Sequence, residues 1–430
     1  MPIDWEWNLV RDPLYGFIGL SKEEEKLLDT PLMQRLSRIK QLSHTYIVYP
    51  SAVHTRFEHS LGSLYIAGRV CDELRLSQGK KRIVRFAGLL HDIGQGPFSH
   101  LFEEPMRWIN GEKYSHEVAT KLMIESEPQL SKMLGDSKKD VLDVFNGDSL
   151  YSDIISSSLD IDKMDYLRRD SYHTGVAYGI FDLERVIRTL CKVKEGDREY
   201  IAINEKGKDA LESYRVARYA MHIQVYEHHA RLIADDMFLK AIKSAFKEGC
   251  LAREDFKISN DPSNFFKHFL LFDDYSIQHH ILQNSKGNAQ KLIQDIRDRK
   301  LLKRALDVPL TDEGVPNYIR RDKISSMNRK EIENAEKKIA SELGIAPDFV
   351  VVHLQSVKIK LYERFQQTIG KKEKPILIQR RDGSITSIDQ VSPISASLDP
   401  IRRLYVFCPE KHVQEAKSIA EIIFKVKSAR

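Results

Sequence analysis

The chain has 430 residues, 42% of them hydrophobic and 30% charged, so it is long enough to bury a large core and to divide into domains. Its formal net charge of +5, from 67 basic and 62 acidic residues, is a weak excess that does not indicate nucleic acid as a partner. The four cysteines are far apart, so neither a zinc ribbon nor a disulfide framework is indicated, and no apolar run reaches the roughly 18 residues of a membrane span. We therefore expect a cytoplasmic, globular protein without a membrane partner.

Most of the first 330 residues show the 3.6-residue apolar period of amphipathic helices. The period is clear in KKRIVRFAGLLHD, EPQLSKMLGDSKKDVLDVF, LERVIRTL and YAMHIQVYEHHARLIADDMFLKAIKSAF. One interruption, LCKVKEGDREYIAI, alternates polar and apolar residues around Gly196 and predicts a hairpin. We therefore predict a helical domain over residues 1–330.

Composition changes after a charge-rich segment at residues 319–340. The stretches DFVVVHL, KPILIQRRDGSITSI and RRLYVFCP read as strands, and Asp382-Gly383 is a hairpin signal. EKHVQEAKSIAEIIFKV reads as an amphipathic helix. The expected fold is therefore mainly α: a helical core followed by a smaller C-terminal α+β domain over residues 331–430.

The segment LLHDIGQGPFSH places His91 and Asp92 at the end of an apolar helix, and six of the fifteen histidines fall between residues 44 and 116. A divalent metal held by imidazole and carboxylate needs further ligands from other segments. His59 lies upstream in HTRFEHS. Downstream, DIDKMDYLRRD offers four carboxylates, Asp160, Asp162, Asp165 and Asp170. Together these residues suit a hydrolytic metal centre. Each carboxylate alone would more often be a solvated surface residue or a helix cap.

Four segments resemble, in order, the signatures of the HD-domain superfamily. They are HTRFEHSLGSLYIAG, LLHDIGQGPFSH, YSHE and IDKMDYLRRDSYHTG. More narrowly, the chain resembles the deoxynucleoside triphosphate triphosphohydrolases of that superfamily, and MHIQVYEHH adds to the likeness. The resemblance implies a helical HD core and a divalent metal cofactor, which could be Mn, Fe, Zn, Ni or Mg. It also implies hydrolysis of deoxynucleoside triphosphates to deoxynucleoside and inorganic triphosphate.

The same resemblance assigns site residues. The implied metal ligands are His59, His91, Asp92 and Asp162. The implied proton-transfer residues are His100 and His116, with Glu103 and Glu117 to orient them. The implied substrate-binding residues are Gln41, Leu42, Arg56, Gln95, Lys163, Tyr166, Asp170, His222, Tyr226 and Glu227. Among these, Arg56 and Lys163 match phosphate-binding positions, and Tyr226 matches the residue beside the deoxyribose C2′.

Two residues depart from the family pattern. Gln95 stands where many relatives have histidine, and glutamine cannot carry a proton at neutral pH. Glu227 stands where a relative has glutamine, which leaves the base preference open.

The resemblance also implies a homodimer or homotetramer and a second, regulatory nucleotide. Asp29 and Gln34 match residues of such a regulatory site, whereas Asn8 and Ser37 replace its cationic residues. We therefore expect weaker or different activation. Two alternatives stay open: an HD phosphodiesterase, phosphatase or nuclease acting on another nucleotide, and a non-catalytic nucleotide sensor. Nucleic acid binding is possible but no motif indicates it.

Overall fold

The computed structural model describes residues 8–147, 149–259, 261–310, 323–356, 375–396 and 402–426. Packing divides them into two compact units. The first contains the described residues within 1–221, 253–277 and 361–398, and the second those within 222–252, 278–360 and 399–430. Helices dominate, which confirms the expected fold class. The domain boundary predicted at residue 330 stays a prediction.

The elements up to residue 188 are β1 (Asn8–Asp12), β2 (Gly16–Leu20), α1 (Lys22–Leu28), α2 (Pro31–Leu36), α3 (Arg56–Glu73), α4 (Gln78–Leu90), α5 (Glu103–Asn110), α6 (His116–Ser126), α7 (Pro128–Leu134), α8 (Ser137–Asn146), α9 (Leu150–Ile155), α10 (Ile161–Thr174) and α11 (Leu183–Arg188). The next are β3 (Leu190–Glu195), β4 (Arg198–Asn204), α12 (Lys208–Met221), α13 (His229–Lys247), α14 (Ser263–Leu271), α15 (Asp274–Asn284), α16 (Asn288–Arg297) and β5 (Lys303–Pro309). The last are α17 (Arg329–Glu342), β6 (Val351–Ser356), β7 (Leu377–Gln379), β8 (Ile385–Ser387), α18 (Ile388–Val391), α19 (Pro393–Ala396), β9 (Arg402–Cys408) and α20 (Val413–Phe424).

In the first unit, α3 packs against both α4 and α10, and these three helices frame the candidate site. A capping box between Thr55 and Glu58 starts α3, and the Asp160 side chain caps α10 by accepting from the backbone of Lys163. Gly62 allows α3 and α10 to approach closely, because a Cβ there would lie 1.9 Å from Asp165 Oδ1.

Two sheets complete the first unit. β1 and β2 form an antiparallel hairpin that the sequence did not predict. The four-stranded sheet has the order β3-β4-β7-β8. Its β3-β4 and β7-β8 hairpins confirm the turns expected around Gly196 and Gly383.

The second unit has an antiparallel sheet of order β5-β9-β6. Its apolar side chains and those of α17 and α20 form one buried cluster that includes Leu306, Ile339, Val352, Val406 and Ala420. Strands β6 and β9 and helix α20 confirm predicted elements, whereas β5 was not predicted.

Two predicted helical runs are broken. The run from residue 219 is interrupted between α12 and α13 by a π-helical turn, His222–Tyr226. The run from residue 127 divides into α7 and α8 at Gly135, whose φ of 50° suits glycine. None of the helices in the described part of the chain combines the length and apolar character that a membrane crossing requires.

Candidate active site

Four predicted ligands converge in the first unit. His59 lies in the first turn of α3, His91 ends α4, Asp92 follows it, and Asp162 lies in the first turn of α10. His59 Nε2 is 3.0 Å from Asp162 Oδ1 and 3.2 Å from His91 Nε2. Asp92 Oδ2 lies 3.8 Å from His59 Nε2 and 3.6 Å from His91 Nε2. Residues separated by more than 100 positions thus present four ligand atoms to one small volume.

The Nδ1 atoms of His59 and His91 each make a hydrogen bond to a protein oxygen. His59 Nδ1 lies 2.8 Å from Asp165 Oδ2, and His91 Nδ1 lies 2.8 Å from the carbonyl of Gly88. A carbonyl or carboxylate oxygen only accepts, so each Nδ1 donates its proton. In the neutral form of each ring Nε2 then carries the lone pair, and both Nε2 atoms face the same point, which is the arrangement of histidine metal ligands.

Asp165, which orients His59, accepts three further hydrogen bonds. It accepts from Arg169 Nε at 2.8 Å and Arg169 Nη2 at 2.9 Å, and from the Tyr15 hydroxyl at 2.8 Å. Arg169 Nη1 also bonds Asp12 at 2.9 Å. Burial alone would raise the pKa of Asp165, but Arg169 and His59 hold it well below its usual range. Asp165 therefore stays ionised, and it is a residue that the sequence offered only as one of four carboxylates.

Asp92 is buried beside cationic and amide groups. Arg56 Nη1 donates to Asp92 Oδ2 at 2.8 Å, and Gln95 Nε2 donates to Asp92 Oδ1 at 3.3 Å. Burial would raise the pKa of Asp92, but Arg56, followed by His91 and His59, keeps it far below its ordinary value. Burial likewise lowers the pKa of His59, yet its hydrogen bonds to Asp162 and Asp165 raise it overall to about 10.

A second cluster contains His100, Glu103 and His116. Glu103 Oε1 bonds His116 Nδ1 at 2.6 Å and His100 Nδ1 at 3.0 Å. His116 Nε2 is 3.9 Å from Asp92 Oδ1, so this cluster borders the first. Burial raises the pKa of Glu103, but the bonds from both histidines lower it overall. Glu103 thus orients both rings, whereas the orienting role of Glu117 stays a prediction.

The remaining predicted residues of the first unit lie in defined surroundings. Lys163 Nζ bonds the buried Asp160 at 2.7 Å, and Asp170 pairs with the buried His54 at 2.7 Å. The Tyr166 ring lies edge-on to His59, with ring centroids 6.5 Å apart. Gln41 is buried and Leu42 is half-buried at the start of a 3-10 turn. Their contacts with substrate stay predictions.

Three predicted substrate residues belong to the second unit. His222 and Tyr226 begin and end the π-helical turn, and their rings meet edge to face at 5.1 Å. Glu227 accepts from Gln355 Nε2 at 3.2 Å, and burial raises the pKa of Glu227. Their roles in substrate binding stay predictions.

The residues compared with a regulatory site make local bonds. Gln34 Nε2 donates to the Leu28 carbonyl at 3.0 Å, and Ser37 Oγ donates to the Gln34 carbonyl at 2.6 Å. Asp29 caps the end of α1, and Asn8 begins β1. A regulatory role for them stays a prediction.

The first cluster suits a metal ion by its chemistry. His59, His91 and Asp162 offer ligand atoms within 4.8 Å of one another, and they could hold a metal. Imidazole nitrogen and carboxylate oxygen together accept several first-row divalent ions. Two inward-facing Nε2 lone pairs 3.2 Å apart are best satisfied by a shared cation.

Comparison with known proteins identifies two family regions. An HD domain matches residues 56–170, and an HD associated region matches residues 181–430. An uncharacterised protein of Methanocaldococcus jannaschii is 31% identical over 414 residues, covering 95% of this chain and 81% of that protein. The human deoxynucleoside triphosphate triphosphohydrolase SAMHD1 is 29% identical over 80% of this chain and 62% of its own length.

A solved structure of a phosphohydrolase has a similar fold. The crystal structure of a phosphohydrolase from Bacteroides thetaiotaomicron superposes with a TM-score of 0.72 and is 26% identical. The match covers 94% of this chain and 100% of that one. The likeness therefore includes the residues on both sides of the HD match.

Proposed function

The chain belongs to the HD-domain superfamily of phosphohydrolases, and from that premise we propose that it hydrolyses deoxynucleoside triphosphates to deoxynucleoside and inorganic triphosphate. The observation that carries this proposal is the convergence of His59, His91, Asp92 and Asp162 beside a Glu103-centred histidine pair. Further support comes from SAMHD1, whose name describes that reaction.

In this proposal the four ligand residues would hold a divalent ion. The ion, when bound, supplies Lewis acidity and lowers the pKa of a coordinated water. Asp165 and the Gly88 carbonyl keep the His59 and His91 rings in the ligating tautomer. The donor set does not choose among Mn, Fe, Zn, Ni and Mg.

Cationic side chains meet the triphosphate. Arg56 is already directed at Asp92 Oδ2 by its own hydrogen bond, so its remaining donors can stabilise charge on the α-phosphate. Lys163 lies one residue after Asp162 on α10 and adds a second positive charge. Water attacks the α-phosphorus and releases one proton to solvent, the bond between that phosphorus and the 5′-oxygen breaks, and the water oxygen remains in the triphosphate.

The leaving 5′-oxygen needs a proton. His100 is the proposed donor, with His116 beside it and Glu103 fixing both rings. Glu117 is proposed to assist. Gln95 can donate a hydrogen bond but cannot supply this proton.

The sugar and base would meet residues assigned by resemblance. Gln41, Leu42 and Asp170 would contact the sugar and its 3′-hydroxyl, and Tyr226 would exclude a 2′-hydroxyl. The further residues of this group are Tyr166, His222 and Glu227. An unmet buried hydroxyl costs about 1–3 kcal/mol, which corresponds to roughly ten- to a hundredfold preference for deoxy substrates.

Product analysis tests the proposal. Metal-replete protein is incubated with each of the four deoxynucleoside triphosphates, alone and mixed, and with the matching ribonucleotides; a chelated sample is the control. We expect deoxynucleoside and triphosphate in equal amounts, with the deoxy substrates preferred. A monophosphate with pyrophosphate, or no turnover of any deoxynucleotide under all metals, would overturn the assignment.

We also propose a homodimer or homotetramer and a cytoplasmic location. Because Asn8 and Ser37 lack the expected positive charges, activation by a second nucleotide should be weaker or different. Initial rates with and without guanosine triphosphate test this point, and strict dependence on that activator would contradict it.

A further inference from the structure

Two consecutive residues beside the site have an unusual backbone. Phe98 and Ser99 have φ values of 58° and 61°, and they form the one consecutive non-glycine pair with positive φ among the described residues. A side chain makes this left-handed conformation costly, so the surrounding structure must stabilise it. Both residues are buried and directly precede His100.

A buried carboxylate fastens this pair to another segment. Asp274 Oδ1 accepts from the backbone N–H of Phe98 at 2.5 Å, and Asp274 Oδ2 accepts from the backbone N–H of Lys40 at 2.9 Å. Lys40 Nζ lies 3.6 Å from the same Oδ2 atom. Asp274 is fully buried, so this carboxylate is held between these donors away from water.

The Ser99 hydroxyl connects Lys40 to Arg56 and therefore to the candidate site. Ser99 Oγ donates to the Lys40 carbonyl at 2.7 Å, which fixes the direction of its lone pairs. It then accepts from Arg56 Nε at 2.8 Å, and Arg56 Nη1 donates to Asp92 Oδ2 at 2.8 Å. The guanidinium is planar, so fixing Nε fixes the direction of every other donor.

We propose that Asp274, Lys40 and Ser99 form a positioning clamp that holds the Phe98-Ser99 backbone left-handed and thereby aims Arg56 at Asp92 and the reacting phosphate. Asp274 is more than 170 residues from Phe98 in sequence, and nothing about the acidic pair Asp273-Asp274 in FDDYS signals this role. The activity measurement rests on the proposed function, whereas the predicted position of Arg56 relative to Asp92 does not.

The test compares Asp274→Asn, Ser99→Ala and their double variant with two matched controls. Glu24→Gln alters another buried carboxylate of the first unit, which pairs with Arg85. Ser63→Ala removes a different buried hydroxyl, which lies in α3 and has no hydrogen-bond partner among the described residues. Each protein is assayed for kcat and KM on a deoxynucleoside triphosphate, for bound manganese and for thermal unfolding.

We expect Asp274→Asn and Ser99→Ala each to lose at least tenfold in kcat/KM at unchanged manganese content. Because both act through one clamp, the double variant should fall no more than about threefold below the worse single variant. The two controls should stay within about threefold of the parent. The proposal would be overturned if the single variants also stay within threefold of the parent. It would equally be overturned by an equal loss in Glu24→Gln, or by losses that multiply in the double variant.

Crystal structures of the parent and the two single variants give a readout that needs no activity. The clamp predicts that Arg56 leaves Asp92 Oδ2 in both variants. Arg56 unmoved in both would refute the clamp even if the enzyme is active. Conversely, a parent that hydrolyses no deoxynucleotide while its variants release Arg56 would refute the proposed function and leave the clamp standing.

Discussion

The two histidine clusters of the first unit differ in how firmly they are held. The His59 side chain is 0% exposed and is fixed by Asp165, which Arg169 and Tyr15 hold in turn. The His100 side chain is 63% exposed, bonds Glu103 of the next turn and lies edge-on to the His116 ring. One cluster is built from elements far apart in sequence, and the other from residues 100–116.

This difference matches two kinds of chemistry. Metal ligands have to keep a fixed geometry, so support from buried partners is an advantage. A proton donor has to exchange its proton with solvent between turnovers, so an exposed ring is suitable. The comparison predicts that the two clusters respond separately to substitution: one through metal content, the other through proton transfer.

The largest effect is expected from Asp162→Ala. Removing this ligand should abolish measurable hydrolysis and bound metal together, with the fold retained. Metal analysis, circular dichroism and product release are the measurements, with the exposed Asp143→Ala as control. Full turnover by a metal-free variant would remove Asp162 from the site.

The second effect is expected from His100→Ala. We expect kcat to fall by about 10²–10⁴, the usual contribution of a general acid, with metal content unchanged. His268→Ala, another partly exposed histidine with a carboxylate partner, is the control. Turnover equal to the parent would refute the role of His100, and loss of metal would refute the separation of the two clusters.

A smaller effect is expected from Asp165→Asn, which keeps the size of the residue but weakens its hold on His59. Loss of such a supporting carboxylate lowers metal affinity or activity by about 10- to 100-fold. Titration of metal-free protein with manganese measures the affinity. Asp389→Asn, which weakens another Asp–Arg pair of the first unit, should not change it.

The smallest effect is expected from Gln95→His. Activity should remain within about tenfold of the parent or rise, because His100 supplies the proton and Gln95 only donates to Asp92. Steady-state kcat measures this. A loss of more than a hundredfold would indicate that the amide of Gln95 has a role that histidine cannot fill.

The sequence indicated the candidate metal ligands more clearly than the residues that hold those ligands in place. The resemblance of the motifs implied His59, His91, Asp92 and Asp162 as metal ligands, and the structure brings these four side chains together. The sequence did not mark Tyr15, whose bond to Asp165 spans 150 positions and depends on the unpredicted β1-β2 hairpin. Such contacts follow from tertiary packing, which local periodicity does not encode.

Gly94 illustrates the same limit of local reasoning. From the sequence alone, a glycine two positions after Asp92 could serve to leave room for a phosphate. In the structure a Cβ on Gly94 would lie 2.3 Å from the carbonyl of His116 and 2.5 Å from the backbone nitrogen of Thr120. The missing side chain therefore faces α6, and the glycine is required for close packing of the loop against that helix.

Hydrolysis in ¹⁸O-labelled water tests the central claim most directly. Metal-replete protein is incubated with a deoxynucleoside triphosphate, and the products are weighed by mass spectrometry. Attack on the α-phosphorus predicts one ¹⁸O atom in inorganic triphosphate and none in the deoxynucleoside. Label in orthophosphate, pyrophosphate or a deoxynucleoside monophosphate would contradict the proposed reaction.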